Sequence, residues 1–136
     1  MAYGAAGLAY ASVTAETASP QRLLTMLYDR LILDLTIAEA AMHTADYETV
    51  GNRLQHAQEI LLELWASLDV EMWPEGGPLR EVYLWLIREL MASRMPNQPD
   101  RVAACRKLLE PLRDAWKQAL ALQPGPDSKT TVHGAV

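Results

Sequence analysis

The sequence is short of cysteine, of basic residues and of long apolar runs, and it contains no phenylalanine. Its single cysteine, Cys105, cannot form an internal disulfide, so nothing requires an oxidising compartment. With 12 Lys and Arg residues against 17 Asp and Glu residues, the net charge is −5, which argues against a surface that binds nucleic acid. No apolar run approaches the roughly 20 residues of a membrane span, and the first residues lack the pattern of a signal peptide. We therefore expect a soluble cytoplasmic protein that is not inserted in a membrane.

Caps and helix-breaking residues define the first two helices. Ser19 and Pro20 form a helix start, because Ser19 can accept a hydrogen bond in the first turn and Pro20 has no N–H to lose there. We expect helix one over residues 20–43. Thr44 or Asp46 is expected to cap a second helix, whose apolar residues recur at spacings of three and four. These residues are Tyr47, Val50, Leu54, Ala57, Leu61, Leu64 and Leu68.

Two further helices follow loops that are rich in proline and glycine. Residues 73–78 predict a loop, after which helix three is expected over residues 79–94. Asp100 is expected to cap helix four, which should extend to residue 122. Pro111 lies inside this last helix and predicts a kink or a division into two pieces.

The sequence therefore predicts an all-α protein, an antiparallel up-down four-helix bundle spanning residues 19–122. A flexible N-terminal arm is expected at residues 1–18 and a disordered tail at residues 123–136. Helices one and three carry more apolar residues than one buried stripe requires, so we expect part of their surface to remain exposed as a groove. A groove between helices typically binds an amphipathic segment of a partner.

No residue pattern points to catalysis or to a cofactor. Glu39 and His43 are four residues apart, and His56, Glu59 and Glu63 form a second group, but neither repeats the Glu-x-x-His motif of carboxylate-bridged metal sites. Both groups are expected on solvated helix faces. We therefore predict no catalytic residues, no metal site and no cofactor.

One segment, residues 17–29 (TASPQRLLTMLYD), resembles the signature of the FliS family of flagellar secretion chaperones. The matching residues in and near this segment are Tyr10, Val13, Thr14, Thr17, Ala18, Ser19, Pro20, Leu23 or Leu24, Met26, Leu27, Tyr28 and Asp29. Further matches downstream are Asn52, Ile60, Leu64, Leu68, Asp69, Leu79, Tyr83, Leu112, Arg113 and Trp116. Arg30 departs from the family pattern, in which this position is small and often glycine.

The resemblance implies an export chaperone without a nucleotide cofactor that binds the disordered C-terminal segment of flagellin. Such a chaperone prevents premature polymerisation and delivers its client to the flagellar type III export apparatus. An export-gate component or a co-chaperone remains open as a further partner. The residues that the resemblance assigns to client binding are Tyr10 on the arm, Leu24, Tyr28 and Asp29 on helix one, and Arg53, Ala57, Ile60 and Leu64 on helix two.

Several of these residues have a plain structural alternative. Asp29 would then contact solvent or pair with an arginine at position 30, 53 or 113. Tyr28 and Tyr83 are either core aromatics with hydrated hydroxyl groups or client contacts, and Trp85 is either a core residue or part of the groove. Ala57 and Leu64 also belong to the apolar seam of helix two.

Two other functions remain open for the whole chain. One is a structural homodimer in which the apolar surfaces of helices one and three meet their own copies, and the other is a carboxylate-bridged metalloenzyme. A chaperone of this kind would be a monomer or a weak homodimer.

Overall fold

The computed structural model describes residues 19–122, which form four α-helices joined by short connections. The helices are α1 (Pro20–His43), α2 (Tyr47–Ser67), α3 (Gly77–Ala92) and α4 (Pro99–Leu122), with a 3₁₀ turn at Pro74–Gly76 before α3. Successive helices run antiparallel, which confirms the predicted all-α bundle. The predicted arm (1–18) and tail (123–136) lie outside the described residues.

The capping residues that the sequence indicated set the starts of α1 and α2. The Ser19 side chain accepts a hydrogen bond from the Arg22 N–H at 3.2 Å, and Pro20 occupies the first position of α1. Asp46 caps α2 by accepting from the Thr49 N–H at 3.3 Å. Both caps are local interactions within one turn, which explains why sequence alone located them.

The ends of α3 and α4 differ slightly from the prediction. α3 begins two residues earlier than expected, at Gly77, because Pro78 fits the first turn. It ends at Ala92, where the N–H of Ser93 bonds the carbonyls of Glu89 and Leu90. α4 begins at Pro99, one residue before the predicted cap.

α4 continues without a break through Pro111, so of the two predicted alternatives, a kink or a division into two pieces, the division is wrong. A proline inside a helix removes one N–H, which leaves the carbonyl four residues earlier without its usual donor. Pro111 and Lys107 both lie on the exposed face of α4, where water can hydrate that carbonyl. The cost of Pro111 is therefore small enough for the helix to persist.

α1 is the central element of the packing, since it contacts both α2 and α4 along its length. α3 packs mainly against α2 and less extensively against α4. Most of the apolar surface of α1 is used in these contacts, and Met26 and Leu33 are its only large apolar side chains classed as exposed. The expected apolar excess on helix one is thus largely buried, because α1 packs against two neighbouring helices.

The apolar seam of α2 is buried as predicted, except at its first residue. Val50, Leu54 and Leu61 are at most 2% exposed, whereas Tyr47 is 65% exposed. Tyr47 opens the helix at the end of the bundle, where no neighbouring helix covers it. This end of the bundle also holds the connection between α3 and α4.

Candidate functional site

Tyr28 and Tyr83 meet in the interior of the bundle. Both side chains are 0% exposed, and their hydroxyl oxygens lie 2.7 Å apart in a hydrogen bond between α1 and α3. Burial raises the pKa of Tyr28 to about 12, an effect that hydrogen bonds from Tyr83 and Trp116 partly oppose. The expectation of hydrated hydroxyl groups is therefore wrong, because each phenol finds its partner inside the protein.

Four other residues that the sequence suggested as client contacts are also buried. Leu24 and Ile60 are 2% and 6% exposed, and Ala57 and Leu64 are 0% exposed. All four belong to one continuous apolar core. In this conformation they pack the helices together, so their side chains offer no surface to a partner.

Asp29, Arg53 and Trp85 remain accessible among the proposed contact residues. The carboxylate of Asp29 lies 3.0 Å from Lys117 Nζ and 3.9 Å from Arg113 Nη1, both on α4. Arg113 was one of the partners expected from sequence, and Lys117 was not. Trp85 is 41% exposed on α3. Tyr10 lies outside the described residues.

A polar cluster between α1 and α2 was not predicted from the sequence. Asp34 is 2% exposed, and its carboxylate accepts from Arg53 Nη1 at 3.0 Å and from the Nδ1 nitrogen of His56. The Nε2 nitrogen of His56 in turn lies 3.3 Å from Arg30 Nη2. The available signal was an aspartate among the buried apolar residues of α1, since a buried carboxylate requires donors from a neighbouring element.

An open recess of about 880 Å³ lies at the end of the bundle beside Tyr47. Its lining combines the start of α2 with the connection between α3 and α4: Tyr47, Val50, Gln58, Met91, Arg94, Met95, Pro96 and Asn97. Tyr47, Met91 and Met95 are 65%, 62% and 90% exposed, so this recess presents apolar side chains to solvent. This recess was not predicted from the sequence, because its walls come from separate segments.

Gly51 permits one close contact in this region. A Cβ atom at Gly51 would lie 3.0 Å from Arg94 Nη2, so the missing side chain leaves room for the guanidinium group. Arg94 thereby places a positive charge among the apolar residues of the recess.

The tryptophans mostly stabilise the bundle. Trp116 is half-buried against the core and contacts Trp73 edge to face, with ring centroids 6.5 Å apart. Arg80 stacks over the ring of Trp65 at 4.4 Å from its centroid. Among the tryptophans of residues 19–122, only Trp85 is exposed.

Two of the residues weighed as metal ligands, Glu39 and His56, have other partners. Glu39 accepts from Arg106 Nε at 3.1 Å, and His56 is engaged with Asp34. Within residues 19–122, no three His, Cys, Asp or Glu side chains lie close enough together to hold a metal ion. Cys105 is buried, and its burial together with the charge of Glu89 raises the pKa of the thiol to about 12.

In the stretch from Ser19 to Leu122, none of the helices combines the length and the apolar character that crossing a bilayer requires.

Comparisons with known proteins agree on one family. The family model described as "Flagellar protein FliS" matches residues 3–123. The chain is 33% identical over 123 residues to the flagellar secretion chaperone FliS of Salmonella typhimurium, covering 85% of this chain and 91% of that protein. It is 32% identical over 125 residues to the Escherichia coli protein of the same name, covering 87% and 92%. The corresponding Bacillus subtilis protein is 30% identical over 114 residues, covering 82% and 84%.

Proposed function

The chain belongs to the FliS family of flagellar secretion chaperones, and from this premise we propose that it binds the C-terminal segment of flagellin before export. Binding would keep flagellin subunits from polymerising in the cytoplasm and would assist their delivery to the flagellar export apparatus. A binding role needs neither a cofactor nor a catalytic centre.

The observation that carries the proposal is the exposed apolar recess formed by Tyr47, Met91 and Met95. Exposed methionines suit a surface that must accommodate a segment without a fixed shape, because their side chains are flexible and polarisable. A client segment that folds on binding loses conformational entropy, so it needs apolar surface that becomes buried in the complex. Trp85 on α3 offers further apolar surface of this kind.

We divide the residues that the sequence suggested as client contacts into two groups. Asp29, Arg53 and Trp85 are accessible, and we propose them as direct contacts together with Tyr10. The six buried residues set the spacing of the helices on which the client would rest, and these are Leu24, Tyr28, Ala57, Ile60, Leu64 and Tyr83. Their replacement would alter client binding through the stability and packing of the bundle.

Titration calorimetry with a peptide from the C-terminal segment of flagellin of the same organism tests the proposal. We expect saturable binding with a negative heat-capacity change, because apolar surface becomes buried. Absence of binding to this peptide and to full-length flagellin would refute the chaperone function.

A pair of variants tests the recess separately. Met91→Glu places a charge in the apolar recess and should weaken binding about tenfold or more, as expected for a central apolar contact. Leu33→Glu makes the same type of change at a side chain that is 54% exposed on α1 and does not line the recess. If both variants weaken binding equally, the client does not use the recess, although the chaperone function stands.

The structural homodimer makes a different prediction for the apolar surfaces. A stable dimer that buried the recess would keep the mass of two chains on dilution, and Met91→Glu would convert it to monomers. Light scattering over a range of concentrations measures this directly. A monomer, or a dimer that dissociates when the flagellin peptide is added, agrees with the chaperone.

A further inference from the structure

Arg30 on α1 is a cation that has no carboxylate partner in the described part of the chain. Its side chain is exposed. Its contact at Nη2 is to the ring nitrogen Nε2 of His56, at 3.3 Å. Within residues 19–122, no Asp or Glu oxygen lies within 4.0 Å of its guanidinium.

The usual partner for Arg30 would be Asp34, which is four residues later on the same helix. Both carboxylate oxygens of Asp34 are already occupied, Oδ1 by Arg53 and Oδ2 by His56. Among the described residues, Asp34 therefore pairs with Arg53 and His56 and not with Arg30.

His56 contacts both Arg30 and Asp34 through its ring nitrogens. An arginine guanidinium can only donate hydrogen bonds, so Nε2 of His56 is the acceptor in its contact with Arg30. The other ring nitrogen, Nδ1, bonds the Asp34 carboxylate. The two arginines, Arg30 and Arg53, together with Asp34 carry one excess positive charge.

A small polar cleft of about 390 Å³ adjoins this group on α2. It is lined by Thr49, Asn52, Arg53 and His56, which lie on one face of the helix. Arg53 uses only Nη1 for Asp34 and is 41% exposed, so its other N–H groups are accessible. Thr49 in the cleft lining also holds Asp46, whose carboxylate accepts from the backbone N–H and the hydroxyl of Thr49.

We infer that Arg30 and Arg53, held by His56 and Asp34, form a binding site for a carboxylate side chain of the bound client. The inference rests on the proposed chaperone function and adds a polar anchor to an otherwise apolar surface. Arg53 and the Asn52 amide offer donors in the cleft, and Arg30 adds a positive charge beside His56 in its wall. A carboxylate accepts from several such donors at once. In the complex the carboxylate would supply the counter-charge that Arg30 lacks within the described residues.

Arginine variants with a matched control test this inference. Arg30→Gln should raise the Kd for the flagellin C-terminal peptide about three- to fivefold, the range of an exposed charge pair. Arg30→Glu should raise it about tenfold or more, since attraction is replaced by repulsion. Arg22→Glu makes the same change in net charge at another exposed position of α1 and should alter the Kd by less than about twofold.

A double-mutant cycle identifies the carboxylate. Each Asp and Glu of the peptide is replaced by its amide and titrated against the wild-type protein and Arg30→Gln. We expect one peptide position at which the two losses are not additive, and a shift of the His56 ring resonances on binding of the unmodified peptide.

The outcomes separate the inference from the chaperone function. If the wild type binds the peptide and Arg30→Glu raises the Kd no more than Arg22→Glu does, the carboxylate site is overturned while the chaperone function stands. Weakening by Arg30→Gln that couples to no acidic residue of the peptide would overturn the site as well. A wild-type protein that binds no flagellin would overturn both proposals.

Discussion

The hydroxyl groups of Tyr28 on α1 and Tyr83 on α3 share a 2.7 Å hydrogen bond in the bundle interior, where neither side chain is exposed. This bond joins two helices that α2 and α4 otherwise hold together. Because water does not reach it, both phenols depend on protein partners for hydrogen bonding. The pair therefore fixes the relative position of α1 and α3 at this level of the bundle.

Replacing either tyrosine by phenylalanine should lower the free energy of unfolding by about 1–2 kcal/mol, because a buried hydrogen bond is lost. The double variant Tyr28→Phe with Tyr83→Phe should cost less than the sum of the single variants, since both remove the same bond. Urea unfolding of the four proteins measures this coupling. Strictly additive losses would show that the two hydroxyl groups act independently.

The raised pKa of Tyr28 predicts a loss of stability at alkaline pH. Its phenol has an ordinary pKa of 10.0, which burial raises to about 12 in the folded protein. Below pH 10 the phenol is protonated in both the folded and the unfolded state, so its full contribution to the free energy of unfolding is present there. Between pH 10 and pH 12 the unfolded chain releases the proton first, so stability falls as the pH rises.

Between pH 10 and pH 12 this effect lowers the free energy of unfolding by about 2–3 kcal/mol. The buried thiol of Cys105 contributes a loss of the same sign, since its pKa is also raised to about 12. The difference between the wild type and Tyr28→Phe isolates the phenol. Urea unfolding of both proteins across this range should therefore show the shallower decline for Tyr28→Phe, and equal declines would contradict the assignment.

The neighbouring aspartates of α1 should differ sharply in their effect on stability. Asp34 is 2% exposed and bonded to Arg53 and His56, so Asp34→Asn should lower the free energy of unfolding by about 3 kcal/mol. Asp29 is 45% exposed, and Asp29→Asn should cost less than about 1 kcal/mol. Urea denaturation of the two variants compares the same chemical change on one helix. Equal losses would mean that the buried cluster contributes no more than a surface ion pair.

The contrast between these aspartates also shows what the sequence can specify. The start of α1 follows from Ser19 and Pro20, because a helix cap is formed within one turn of the chain. The burial of Asp34 depends on which face of α2 meets α1, and no local pattern contains that information. The partner of Asp29 was expected among nearby arginines, and the structure adds Lys117 because α4 lies alongside α1.

The proposed client contacts illustrate the same limit. Apolar periodicity placed Ala57 and Leu64 on a buried seam, and the structure confirms that position. Periodicity overestimated the free surface of α1, because α1 packs against both α2 and α4. The recess around Met91 and Met95 was not predicted, since its shape depends on how the α3–α4 connection folds against the start of α2.

Ala45 occupies a backbone conformation that favours glycine. Its φ angle is 56°, in the left-handed region, at the end of α1. The Asp46 N–H bonds the Ala41 carbonyl at 2.9 Å and the Ala45 N–H bonds that of Met42 at 3.3 Å, the two bonds of a Schellman motif. In this motif the residue with positive φ is usually glycine, because a Cβ atom costs roughly 1–2 kcal/mol there.

Ala45→Gly should therefore raise the free energy of unfolding by about 0.5–1 kcal/mol, after allowance for the greater freedom of glycine in the unfolded chain. The control is Ala104→Gly, at an exposed position inside α4, which should lower it by about 1 kcal/mol. Urea midpoints at unchanged m-value measure both variants. A higher free energy of unfolding for Ala45→Gly and a lower one for Ala104→Gly would show that glycine relieves strain at Ala45. A lower free energy of unfolding for both variants would mean that Ala45 is not strained in solution.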